Sequence, residues 1–110
     1  LSEQIDPQRA VDFIRDNAAT LAKAKAERVY MEEFRKTLKA KLMKKCVDLP
    51  VTAQEREAYA HPDYEAHLLG LKEAVEVEER LRWQMVAAQA RVEVWRSQEA
   101  SNRAMDRASA

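Results

Sequence analysis

Apolar residues recur along this chain in steps of three and four, and no window alternates as a half-buried strand does, so the pattern predicts helices throughout. In the first half the series is Val11, Ile14, Ala18 and Leu21, continuing at Val29 or Tyr30, Phe34, Leu38 and Leu42. In the second half Leu71, Ala74, Glu78, Leu81, Met85, Ala88, Val92 and Trp95 alternate steps of three and four, the a/d spacing of a coiled-coil seam. Glu78 is the one polar member of that series.

Breakers divide the pattern. Asp6-Pro7 predicts a helix start, with Asp as the cap and Pro at the position whose N–H has no partner. The first helix runs over about 7–45, ending on Lys44 and Lys45, where cations suit the negative end of the dipole. A connector around Val47-Asp48-Leu49-Pro50 leads to Thr52-Ala53-Gln54-Glu55, which has capping-box spacing, so a short helix is expected within about 46–61. His61-Pro62 interrupts it, because a residue before proline leaves the α region, and Pro62 opens a helix expected over about 62–100. The tail to 110 is expected to fray. Gly70 lies inside this helix at a cost of about 1 kcal/mol relative to alanine, which suits close approach of a neighbouring helix.

Two long helices joined by a short connector predict an all-α fold: a long antiparallel helical hairpin in a single domain, 1–110, with a short helix in the connector. Phe34, Leu38, Leu71, Leu81, Met85, Val92 and Trp95 are the expected seam. Tyr30, Tyr59, Tyr64, Trp83 and Trp95 cannot all fit one narrow seam, so assembly into a helical homo-oligomer is expected as well. Composition agrees: 35% of residues are charged and only 6% aromatic, which suits narrow helix seams better than a thick core.

Charge changes the picture. The formal net charge is zero, yet positions 23 to 45 hold nine basic residues against three acidic ones, and positions 55 to 79 hold eight acidic against two basic. Lys25, Arg28, Arg35, Lys36, Lys39, Lys41, Lys44 and Lys45 have the composition of a phosphate-binding helix, with salt-sensitive, sequence-tolerant affinity. Tyr30 and Phe34, with Trp83 as a further candidate, can stack unpaired bases. The same lysines read equally as a solvated face that pairs with the acidic block, and the aromatics read more readily as core. Arg80, Arg82, Arg91, Arg96, Arg103 and Arg107 alternate with acidic residues and read first as local ion pairs, with a second backbone contact as the alternative.

Catalytic and metal chemistry find no support in the residue pattern. His61 and His67 are six apart, off the i, i+4 spacing that puts two ligands on one helical face, so capping or surface roles are expected. Cys46 is the single cysteine and has no paired histidine, so it reads as an incidental or buried thiol. There is no glycine-rich phosphate loop or nucleophile elbow, hence no enzyme, no metal and no cofactor is expected. No apolar run reaches the length of a membrane span, and a cytoplasmic location without a membrane is expected.

The segment Ala24-Lys25-Ala26-Glu27-Arg28-Val29-Tyr30-Met31-Glu32-Glu33-Phe34-Arg35-Lys36, together with Leu81-Arg82-Trp83-Gln84-Met85-Val86-Ala87-Ala88-Gln89-Ala90-Arg91-Val92-Glu93-Val94-Trp95-Arg96, resembles the small all-helical proteins of bacteriophage and prophage recombination modules. The first segment is similar, more loosely, to the basic helix of UvsY-type recombination mediators. The resemblance implies a non-enzymatic oligomer that binds single-stranded DNA and helps load a recombinase onto strands coated by single-strand-binding protein. It also implies that Lys25, Arg28, Arg35, Lys36, Lys39 and Lys41 touch phosphate. The acidic second block departs from a simple DNA-binding composition and keeps open a second expectation: a helical scaffold, adaptor or assembly chaperone acting through protein contacts.

Overall fold

The computed structural model describes residues 4–109. Three helices account for nearly all of them, α1 (Pro7–Lys44), α2 (Val51–Ala60) and α3 (Pro62–Ser109), and no strand occurs among the described residues. The fold is all-α, with helical-hairpin pairing and a short helix in the connector. The chain divides into two compact units, Ala22–Glu79 and the pair of segments Leu1–Leu21 with Arg80–Ala110.

The start of α1 follows from its sequence. Asp6 Oδ1 accepts the backbone N–H of Arg9 at 3.2 Å, satisfying a donor that has no partner inside the helix. At the other end, Lys45 N–H donates to Leu42 O and Cys46 N–H to Met43 O, both at 3.1 Å, so the last turn tightens to i→i+3 bonds before the chain leaves the helix.

The capping box expected at Thr52 does not form. α2 begins two residues earlier than that cap implies, at Val51, with extended Pro50 before it and no side-chain cap. Thr52 is already inside the first turn, where its backbone is helical and its hydroxyl cannot cap. Gln54 serves the connector instead: its Nε2 donates to Leu49 O at 2.7 Å and to Val47 O at 3.4 Å. His61-Pro62 breaks the chain as expected, with His61 extended at φ −68°, ψ 137°. His61 then caps α3, its Nδ1 accepting the Asp63 N–H at 3.0 Å.

α3 carries an unbroken heptad. Tyr64, His67, Leu71, Ala74, Glu78, Leu81, Met85, Ala88, Val92, Trp95 and Glu99 are all buried or half-buried. On α1 the protected series is Ala10, Ile14, Asn17, Leu21, Ala24, Arg28, Met31, Leu38 and Leu42, with Phe34 beside it. The expected members Val11, Ala18, Val29 and Tyr30 are exposed, because α1 has two interleaved apolar lines and packing selects the one that carries Ala10, Ala24 and the polar Asn17 and Arg28. The helix also continues past 100 to Ser109 where fraying was expected. Nothing after Pro62 breaks it, and Arg107 Nε donates back to Arg103 O and Ser109 Oγ to Met105 O.

The core is thin. Among the described residues the buried apolar ones are Ala10, Ala24, Leu42, Ala58 and Ala88, and no large side chain is fully buried. Alanine at these points lets helix axes approach closely. Gly70 does the same within Ala22–Glu79: a Cβ there would meet Met31 Cε at 2.8 Å.

Candidate nucleic-acid interface

The expected interface lies within the unit Ala22–Glu79 and, except for Lys45 just past its end, on α1. The eight basic residues separate into two groups there. Arg28 and Lys39 are drawn into the fold. The Arg28 guanidinium bonds through Nε to Glu78 Oε2, through Nη2 to Glu78 Oε1 at 3.2 Å, and through Nη1 to both Glu32 oxygens at 3.0 Å. Glu78 is only 8% exposed while Arg28 and Glu32 are half-buried, so the cluster is anchored in the helix seam at its Glu78 end. Hydrogen bonds from Glu78 first and Glu32 second hold the Arg28 pKa above its ordinary value, against the opposing effect of burial. A fully engaged guanidinium has little capacity left for phosphate.

Lys39 is held in a similar way by α2. Its Nζ donates to Glu55 Oε1 at 3.4 Å and sits 4.8 Å from the centre of the Tyr59 ring. Its pKa is raised from 10.5, chiefly by a hydrogen bond with Tyr59; burial opposes the shift and the Glu55 charge adds to it.

The other group faces outward. Lys25, Lys36, Lys44 and Lys45 are exposed and make no ion pair among the described residues. Arg35 is exposed, its Nε bonding only the Glu32 carbonyl at 3.2 Å. Lys41 is exposed with its Nζ 5.7 Å from the centre of the Phe34 ring. Beside Lys41 the helix carries a line that residue counting alone did not single out: Lys23, Tyr30, Phe34 and Lys41, spaced by seven, four and seven. Such spacing places all four on one flank of α1, spanning about 27 Å at 1.5 Å per residue. Tyr30 and Phe34 stack with centroids 5.7 Å apart and planes 19° from parallel, and Tyr30 is 64% exposed. Both rings had read more readily as core; Tyr30 lies on the surface and Phe34 is half-buried at its edge.

His67 also differs from expectation. It is half-buried, its Nε2 lies 2.7 Å from Met31 O, and its ring centre is 5.5 Å from that of Phe34. Position 67 falls on the α3 seam, which is why a surface role does not apply. His67 backs the aromatic pair from inside the fold. Cys46 is half-buried, with Sγ 3.5 Å from Met43 O.

Among the described residues no group of three or more His, Cys, Asp or Glu could hold a metal ion, and no helix is long and apolar enough to cross a membrane. No protein family, curated protein or solved structure matches this chain.

Proposed function

We propose that this protein is a non-enzymatic accessory factor for DNA recombination of the phage type, which binds single-stranded DNA along the outer flank of α1 and assembles with its own copies and with partner proteins. The observation that carries the reading is the Tyr30–Phe34 stack, with Tyr30 exposed and Phe34 half-buried, set in line with Lys23 and Lys41. Aromatic faces take unpaired bases and the lysines take the phosphates between them, a combination that favors single strands over duplex. The recombinase and the single-strand-binding protein belong to this proposal as partners, the host cytoplasm as its location. Self-assembly is supported by apolar residues left on the surface of α3, among them Val86, Val94 and Met105.

The Arg28–Glu78 and Lys39–Glu55 pairs favor a second reading, a helical scaffold or adaptor, since they show part of the charge segregation serving the fold itself. Fluorescence anisotropy of a labelled single-stranded oligonucleotide across a salt series separates the two. The DNA reading expects binding that weakens steeply with salt and exceeds duplex binding. Tyr30→Ala should weaken it by about tenfold, the value of one lost stack, and Lys23→Glu with Lys41→Glu should remove most of it. Absence of binding at low salt would leave the scaffold.

A further inference from the structure

The segments Leu1–Leu21 and Arg80–Ala110 form a groove of about 490 Å3 lined by Asp6, Arg9 and Phe13 on one side and Gln84, Ala88 and Arg91 on the other. This volume lies in the range of small-molecule sites, roughly 300–1,000 Å3. Two guanidiniums share the groove. Arg9 and Arg91 are both exposed, and neither makes an ion pair among the described residues. The one acid in the lining, Asp6, is already engaged by the Arg9 backbone N–H. Phe13 is half-buried and supplies an aromatic wall, Ala88 is buried and supplies a small apolar floor, and Gln84 is an exposed amide with both donor and acceptor capacity.

We infer that this groove binds one nucleotide unit of a single strand, with the phosphodiester on Arg9 and Arg91, the base against Phe13 and its edge read loosely by Gln84. The inference rests on the DNA reading above and adds a second contact to it, on the other unit of the chain. The planar guanidiniums suit the paired oxygens of a phosphodiester or of a carboxylate, and it is the aromatic wall and the amide, which a simple carboxylate would leave unused, that select the nucleotide.

The test is salt-dependent anisotropy on the full chain with Arg9→Gln and Arg91→Gln combined, with helicity checked by circular dichroism. Loss of this phosphate contact should weaken binding by about tenfold at low salt and make the slope of log K against log salt shallower by about 0.7. Phe13→Leu should weaken binding with the slope unchanged. Wild-type protein gives an independent readout: a 5′-phosphorylated thymidine dinucleotide should shift the Nε–H resonances of Arg9 and Arg91. Unchanged affinity and slope in the double variant, with the wild type still binding, would overturn the groove and leave the α1 interface standing. No binding by the wild type would overturn both. Equal resonance shifts on adding hexaglutamate would overturn the nucleotide assignment in favor of an acidic peptide.

Discussion

The two units of this chain use the same three-and-four seam and hold it closed by different means. In Ala22–Glu79 the seam is keyed by polar groups that cross from helix to helix: Arg28 with Glu78, His67 with the Met31 carbonyl, Lys39 with Glu55. In Leu1–Leu21 with Arg80–Ala110 the buried points are the alanines Ala10 and Ala88, and the ion pairs of Arg15 with Asp12 and Asp16 and of Arg96 with Glu93 stay within one helix. A polar key is directional and fixes which residues face each other; an alanine contact is permissive and fixes only how closely two helices approach. A groove bordered by small residues is therefore easier to keep in the second unit, and a partly exposed aromatic pair in the first.

Removing the polar key should have the largest effect. Glu78→Ala leaves the Arg28 guanidinium half-paired in the seam, and the thermal midpoint measured by circular dichroism should fall by about 10 °C or more. Arg28→Leu with Glu78→Leu should restore most of that loss, because two apolar side chains of similar volume replace the pair without leaving a charge behind. A double variant as unstable as Glu78→Ala would show that the charges themselves hold the unit together.

A smaller effect is expected from overfilling the other unit. Ala88→Leu inserts a large side chain where the seam has room for a methyl group, and should cost about 1–3 kcal/mol in urea titration. Both tryptophans, Trp83 and Trp95, lie in this unit, whereas Tyr30, Tyr59 and Tyr64 lie in the other, so the loss should be visible in tryptophan emission. An unchanged midpoint would mean that the Ala88 contact is not a tight one.

The smallest effect concerns Lys39. Its folded pKa is raised from 10.5, so its contribution to stability is fully present below pH 10.5 and is lost as pH rises through the raised folded value. Stability measured by urea titration should thus decline above about pH 10.5 in the wild type, and Lys39→Met should flatten that part of the profile. An identical alkaline profile in the variant would detach the decline from the Lys39–Tyr59–Glu55 contact.

The α3 seam was legible from residues alone because a strict heptad leaves one line of apolar positions, and even Glu78 announced itself as the exception. The α1 seam was only half legible. Val11, Ala18 and Val29 lie on a neighbouring line, spaced by seven and eleven, beside Ala10, Asn17 and Ala24, and hydropathy prefers the wrong one, since the true seam contains Asn17 and Arg28. The same ambiguity governed the basic residues. Nothing in the spacing of Arg28, Lys36 and Lys39 says which of them meets an acid. His67 and Gln54 were unreadable for a related reason: each acts on a carbonyl whose position depends on the fold.

What the sequence by itself determined is the run of helices and the breaks between them, because Asp6-Pro7, Pro50 and His61-Pro62 act through backbone constraints that need no partner. It also determined the charge segregation, which is a property of composition. Only the tertiary structure decided which face of α1 turns inward, and with it that Arg28 and Lys39 are spent on Glu78, Glu32, Glu55 and Tyr59 while Tyr30 and Phe34 stand beside Lys23 and Lys41. That choice belongs to the opposing helices: a side chain's partner is set by which neighbors packing brings within a few ångströms, and local sequence carries no record of that distance.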